Sequence, residues 1–356
     1  AVRIPDVKDR LGLSTGQLGI SLLALTVSLI LAMPLVSWLL TRFESRAIAR
    51  ATAFAFVVVP VLPVLAVDQA TLMLGLAFYG VTASMLDVAI NIQGTDVEAR
   101  MRRPAMSSFH GLYSVGGIAG SAIGGGLAAL GISPRLHLFI VALFMGIFGG
   151  YIAGWLLPES PVKDDRGPMF ARPTRLLAVL GIVAFCAVLN EGAMSDWSAV
   201  YLRDAIGTSA GLAAVGFTVF SITMTAGRLT GDRLAMRFGS SRLIRIGGAL
   251  SALGLGLSLL FPSLPATLVG FACVGAGMSF VFPLVVSAAS RSGRIAPGPA
   301  IAAISTAAYV GLVAGPSSIG LTSDLFSLRV ALGIVVMLCL VVAVLARHVS
   351  DVRSLG

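Results

Sequence analysis

The second half of this chain repeats the first at an offset of 195 residues, and both halves consist mostly of long apolar stretches. Asp9-Arg10-Leu11-Gly12-Leu13-Ser14 aligns with Asp204-Ala205-Ile206-Gly207-Thr208-Ser209, and Arg42-Phe43-Glu44-Ser45 aligns with Arg237-Phe238-Gly239-Ser240. Val115-Gly116-Gly117-Ile118-Ala119-Gly120 falls at the same offset on Val310-Gly311-Leu312-Val313-Ala314-Gly315. Phe78 to Met85 matches Phe271 to Met278 at an offset of 193, a difference that a loop absorbs. Tandem apolar halves of this size fold as two like helical bundles. The offset sets position 1 opposite Asp196, near the end of a long apolar segment, so the partner of that segment is expected before Ala1. The first helix of the first bundle is therefore expected to be absent from this sequence.

Charged residues make up 12% of the chain and its mean hydropathy is +0.96. An ordinary soluble domain carries about 25% charged residues, so the composition indicates an all-α polytopic membrane protein whose partner is the lipid bilayer. A span needs about 20 apolar residues. Helices are expected near 15–40, 47–66, 70–95, 105–130, 136–157, 174–201, 210–236, 242–261, 266–289, 298–322 and 328–347, eleven in all. The polar, Pro-rich stretch 158–173 reads as a linker between halves. The expected domains are an N-terminal bundle over 1–157, a cytoplasmic linker over 158–173, a C-terminal bundle over 174–348 and a cytoplasmic tail over 349–356. Cys186, Cys273 and Cys339 all lie in apolar runs and read as small core residues, with no disulfide framework.

A net charge of +9 raises the question of nucleic acid, but the basic residues fall in alternate loops. Arg42, Arg46, Arg50, Arg100, Arg102, Arg103, Lys163, Arg166, Arg172, Arg175, Arg228, Arg233, Arg237, Arg242, Arg245, Arg291, Arg294, Arg347 and Arg353 share one side, 19 of the 25 basic residues. The positive-inside rule makes that side cytoplasmic, so the C-terminus faces inward and residues 1–14 face outward. One further helix before Ala1 would bring the N-terminus inside, so parity agrees with the repeat. No nucleic-acid partner is expected. No metal-ligand cluster, nucleotide loop or nucleophile triad appears, and the Gly-rich stretches lie inside apolar helices. No enzyme activity, cofactor or metal is therefore expected.

Gly227-Arg228-Leu229-Thr230-Gly231-Asp232-Arg233-Leu234-Ala235-Met236-Arg237-Phe238-Gly239 closes an apolar helix and enters a short basic loop. It resembles the signature loop of the major facilitator superfamily, G-x-L-x-D-R-x-G-R-R, found between the second and third helices of each half. The resemblance implies a fold of two pseudo-symmetric six-helix bundles and a cytoplasmic gate in which Asp232 meets a neighbouring helix N-terminus, with Arg228, Arg233 and Arg237 around it. A carboxylate is favoured at a helix N-terminus by the dipole, and an Arg adds charge-assisted hydrogen bonds. The plain alternative is a basic loop that only sets topology. In the first half Ser37 stands where Asp232 does. Gly111, Gly116, Gly120 and Gly124 follow Pro104, with counterparts at Gly311, Gly315 and Gly320. They resemble an antiporter glycine motif of the same superfamily, but close helix packing through small residues is the favoured reading.

Ionisable residues inside a bilayer are costly and usually face a cavity. Asp87 has Asn91 one turn on, and His110 follows near Tyr113 at a similar depth, so Asp87 and His110 are candidates to share a proton. A buried pair that merely locks two helices is the structural alternative. In the second half Asn190, Glu191, Asp196 and Trp197 cluster in one segment, and Gly192 suggests a broken helix there. A buried Glu191 is expected to be protonatable near neutral pH. Phe282 and Tyr309 are further candidates to line a substrate site.

The strings around Asp87, His110 and Glu191 are similar to those of a bacterial branch of the superfamily distantly related to fucose permeases. That resemblance implies a proton-coupling acid on the fourth helix, where Asp87 stands by helix count. The expected protein is a monomeric secondary transporter of the bacterial inner membrane, working by alternating access on a small-molecule substrate and protons. A polar or sugar-like solute is favoured, with proton-driven export of drugs or amphipathic compounds as the alternative. A receptor or lipid-handling scaffold that keeps the fold without transport is the alternative of another class.

Overall fold

The computed structural model describes residues 4–13, 15–158, 174–208, 210–291 and 296–349. The expected linker lies outside the described residues apart from Pro158, and the expected tail apart from Val349. The elements in chain order are α1 (Ile4–Arg10), α2 (Thr15–Leu31), α3 (Met33–Arg42), α4 (Ser45–Val58), α5 (Leu62–Leu65), α6 (Gln69–Met101), α7 (Met106–Ala129) and α8 (Pro134–Ala153). They continue as α9 (Arg175–Asp204), α10 (Ala210–Phe238), α11 (Ser240–Leu260), α12 (Leu264–Met278), α13 (Val281–Ser290), α14 (Pro297–Leu325) and α15 (Leu328–Leu345). Each of the eleven expected spans coincides with a helix or a broken pair of helices. Among the described residues, nine spans are long and apolar enough to cross a membrane. The remaining two, α7 and α10, are continuous helices of 24 and 29 residues.

Polar residues set the helix starts. Ser133, Thr174, Ser263 and Ser327 each accept a backbone N–H three residues on, from Leu136, Leu177, Ala266 and Val330, the usual N-cap arrangement. Gly239 alone joins α10 to α11, at φ +83°, a conformation that a Cβ disfavours. Prolines set the breaks. Pro34 follows the interruption between α2 and α3, and Pro283 follows the one between α12 and α13. A Pro inside a helix removes one backbone hydrogen bond and crowds the carbonyl four residues earlier. The break expected at Gly192 is absent, since α9 runs unbroken from Arg175 to Asp204. A glycine permits bending but removes no hydrogen bond, and α9 continues through Gly192.

The chain packs as two compact units. The first comprises Ala1–Asp96, Val115–Arg172 and Ile295–Ala302. One of its cores joins Val7, Val64, Ala66, Leu72 and Leu76, and another joins Ile48, Ala49 and Ala89. Arg10 ties to the carbonyl of Ala66, and Gln93 ties to Ser45 and to the backbone of Leu157.

The second unit comprises Val97–Ser114, Pro173–Arg294 and Ala303–Gly356. Its α9, α10, α11, α12 and α15 pack closely around buried Leu180, Met194, Tyr201, Phe271 and Leu332. Here backbones touch. A Cβ on Gly247 would overlap the carbonyl oxygen of Gly277, and one on Gly248 would stand 2.8 Å from the carbonyl oxygen of Cys339. Small residues make that approach possible between membrane helices. Outward-facing Leu253, Leu257, Phe144, Phe148 and Met337 are exposed, as expected of a surface that meets lipid tails in place of water.

The glycine stripe behaves differently at its two copies. A Cβ on Gly311 would meet the carbonyl oxygen of Phe185, and one on Gly315 would lie 3.3 Å from that of Leu189. The expected packing role is met in the second copy and at Gly111, while among the described residues nothing lies within 4 Å of a Cβ on Gly116 or Gly120. The residues against which Gly311 and Gly315 pack both lie on α9.

Candidate functional site

Pro283 creates the first element of the site. A proline at this position cannot donate to the carbonyl of Ser279, and that carbonyl accepts instead from Nε of Arg228 at 3.4 Å. Close approach is required. A Cβ on Gly227 would overlap Oγ of Ser279, so glycine just before Arg228 lets α10 reach the break between α12 and α13.

The rest of the Arg228 guanidinium is also engaged. Nη2 donates to Oε2 of Glu191 on α9 at 2.8 Å, and Nη1 donates to Oγ of Ser114 on α7 at 2.8 Å. Arg228 is buried, whereas 37% of the Glu191 side chain is accessible. A rigid planar fork suits this arrangement, because acceptors on α7, on α9 and at the α12–α13 break each meet a different nitrogen of one cation. His110, one turn before Ser114, stacks edge-on against Phe282 with ring centroids 5.5 Å apart, and its carbonyl accepts from the Ser114 hydroxyl.

One turn along α10 from Arg228, the Asp232 carboxylate accepts the backbone N–H groups of Ser107 at 3.0 Å and Ser108 at 2.7 Å. The Ser107 hydroxyl donates to the carbonyl of Arg228 at 2.7 Å. A Cβ on Gly231 would overlap Oγ of Ser107, and one on Gly111 would lie 2.8 Å from Cδ2 of Leu229. The two glycines of Gly227-Arg228-Leu229-Thr230-Gly231-Asp232 thus admit Ser279 and Ser107, and the charged residue after each glycine bonds the partner so admitted. Arg233 and Arg237 are exposed, the latter with its guanidinium 5.4 Å from the Phe238 ring centre.

The other candidates are spread over α6, α7, α9 and α14. Asp87 and Asn91 form a local pair in the first unit, with Nδ2 of Asn91 donating to Oδ1 of Asp87 at 3.1 Å and to its carbonyl at 2.9 Å. Asn190 is fully buried, and its Nδ2 lies 3.3 Å from the Cys339 sulfur and 3.7 Å from that of Met278. It faces the packed interior of the second unit. Trp197 packs near Gly320, Asp196 is exposed on α9, and Tyr309 is half-buried on α14. Tyr113 is 79% exposed.

Sequence reasoning missed four participants. Ser107 and Ser114 look like ordinary small helix residues, and Pro283 was read only as part of an apolar span. Glu98, also missed, is buried and accepts the N–H groups of Ala105 at 2.8 Å and Met106 at 3.0 Å. A signal for Glu98 existed in a carboxylate placed seven residues before a helix start marked by Pro104.

With this geometry in view, the family profile described as Major Facilitator Superfamily matches residues 2–212 and 180–354. The chain is 38% identical over 348 residues to an uncharacterized MFS-type transporter of Yersinia pestis, covering 98% of this chain and 90% of that protein. It is 33% identical to an uncharacterized transporter of Sinorhizobium fredii, covering 97% and 92%, and 28% identical to the membrane protein MosC of Rhizobium meliloti, covering 96% and 84%. Among solved structures, the E. coli fucose:proton symporter superposes with a TM-score of 0.80 at 17% identity, covering 98% of this chain and 93% of that one. The human organic anion transporter MFSD10 superposes with a TM-score of 0.74 at 15% identity, covering 96% and 88%.

Proposed function

The chain belongs to the major facilitator superfamily, and we propose that this secondary transporter moves a small polar solute by proton-coupled alternating access, with Glu191 and Arg228 at the centre of its coupling site. The observation that carries the reading is the 2.8 Å ion pair between Glu191 and Arg228, whose cation lies on the same helix as Asp232 and one turn from it. A carboxylate within the span Arg175–Asp204 that is partly accessible and held by an Arg has two states of different bonding. Ionised, it holds the fork by a charge-assisted hydrogen bond; protonated, it loses most of that attraction.

In this reading residues 1–157 and 174–348 are the rocking bundles, with the C-terminus on the cytoplasmic side by the positive-inside rule. Contacts of Asp232 with Ser107 and Ser108 keep the basic end closed and part when that end opens. Asp87 with Asn91 is the first-half candidate for proton coupling and His110 a separate candidate, while Asp196, Asn190, Tyr113, Trp197, Phe282 and Tyr309 remain candidates for solute contacts. The similarity to a fucose:proton symporter supports a polar, sugar-like solute.

Thermal-shift screening of the reconstituted full chain against neutral sugars, polyols and amphipathic cations, at acidic and alkaline pH, tests the proposal. A sugar or polyol is expected to stabilise the protein to a pH-dependent extent in wild type and to a pH-independent extent in Glu191→Gln. Stabilisation by amphipathic cations alone would sink the polar-solute reading, and an unchanged pH dependence in Glu191→Gln would remove Glu191 from coupling.

A further inference from the structure

The N-terminus of α7 is held by two carboxylates of different origin. The first intrahelical bond runs from the N–H of Phe109 to the carbonyl of Ala105, which leaves the N–H groups of Ala105, Met106, Ser107 and Ser108 without helical partners. All four are taken. Oε1 of Glu98 accepts Ala105 and Met106, and the Asp232 carboxylate accepts Ser107 and Ser108. Both acids are buried.

Their connection to α7 is unequal. Glu98 lies only seven residues before Ala105, across a tight turn in which Arg102 adopts φ +51°. A non-glycine residue persists in that left-handed region where surrounding contacts over-determine it. The Glu98 bonds to Ala105 and Met106 are such contacts, and they make the end of α6, the turn and the start of α7 one short covalent loop. Asp232 is 125 residues from Ser107 and reaches it only through packing of α10. A local cap moves with the helix it caps. A remote one is lost when its helix withdraws.

We propose that Glu98 is the resident cap of α7 and that its bonds to Ala105 and Met106 persist when Asp232 leaves, so that opening exposes only two buried N–H groups. The proposal rests on the reading of Asp232 as a latch. Arg291, at the end of α13, supports Glu98 with Nη1 3.6 Å from Oε2. That places Glu98 as a positioning residue: it preserves the α7 terminus as a receptor to which Asp232 can return.

Hydrogen exchange at single-amide resolution on the full chain in nanodiscs tests this. In Asp232→Asn, exchange at Ser107 and Ser108 is expected to rise by about tenfold or more, with Ala105 and Met106 within about twofold of wild type. A joint rise at all four amides overturns the resident cap while leaving the latch standing. No rise at any of them removes the latch reading and the proposal with it. In Glu98→Ala, Ala105 and Met106 are expected to lose protection, with partial rescue in Glu98→Gln, whose amide oxygen still accepts. Equal loss in both variants at wild-type folding overturns the assignment. The Asp232→Asn arm decides the matter even if Glu98→Ala does not fold.

Discussion

Asp232 accepts two successive backbone N–H groups of α7, from Ser107 at 3.0 Å and Ser108 at 2.7 Å, through its two different carboxylate oxygens. A bidentate anion on a helix N-terminus combines charge-assisted hydrogen bonds with the helix dipole. Each such bond contributes about 1.5–3 kcal/mol when its partner is charged. Asp232→Asn keeps one acceptor and loses the charge. It is expected to lower the thermal midpoint and to increase labelling of a Met106→Cys reporter, at a position buried in the closed structure, by a membrane-impermeant maleimide in a background with the three native cysteines replaced by alanine. Unchanged labelling would count against a latch at this position.

Arg228 serves acceptors on α7, α9 and the α12–α13 break at once. Lysine offers a point charge and cannot span all three. Arg228→Lys is therefore expected to lose nearly as much solute-dependent stabilisation as Arg228→Ala. A double-mutant cycle with Glu191→Gln should give a coupling energy in the lower part of the roughly 0.5–3 kcal/mol range for interacting pairs, because the accessible part of Glu191 is screened by solvent. Additivity in that cycle would show that the pair carries no energy.

Glycines that look alike in sequence are expected to respond in opposite directions. Gly231→Ala places a methyl against Oγ of Ser107, and overpacking of this kind costs about 1–3 kcal/mol. Among the described residues nothing lies within 4 Å of a Cβ on Gly116, and Gly116→Ala is expected to be neutral or to stabilise by up to about 1 kcal/mol through helix propensity. Thermal unfolding of both variants in one detergent provides the comparison, and destabilisation of Gly116→Ala beyond Gly231→Ala would contradict it.

Asp87 is half-buried and bonded to Asn91 within α6. If it carries coupling, Asp87→Asn should abolish the pH dependence of solute-driven stabilisation while preserving solute binding, and Asn91→Ala should shift that dependence without removing it. Wild-type pH dependence in Asp87→Asn would restrict coupling to the second half of the chain.

Much of the architecture was legible in advance because its causes are local. Apolar runs of span length, N-capping Ser and Thr, and helix-breaking Pro act within a few residues, so the expected spans and observed helices coincide. Gly192 shows the limit of such reasoning. A glycine only permits a bend, and α9 stays helical through it, whereas at Pro283 the lost hydrogen bond accompanies a break.

The sequence by itself determined the membrane class, the family and the motif containing Arg228 and Asp232, since hydropathy and residue spacing are properties of the linear chain. Tertiary structure decided what those charges hold. The partners on α7 (Ser107 and Ser114), on α9 (Glu191) and at the α12–α13 break (Ser279) come from three segments far apart in sequence; only the packing of α7, α9, α10 and the α12–α13 break converges them. Spacing places a charge on a helix face, but the partner it meets depends on which distant helix packs there and how closely its small residues let it come.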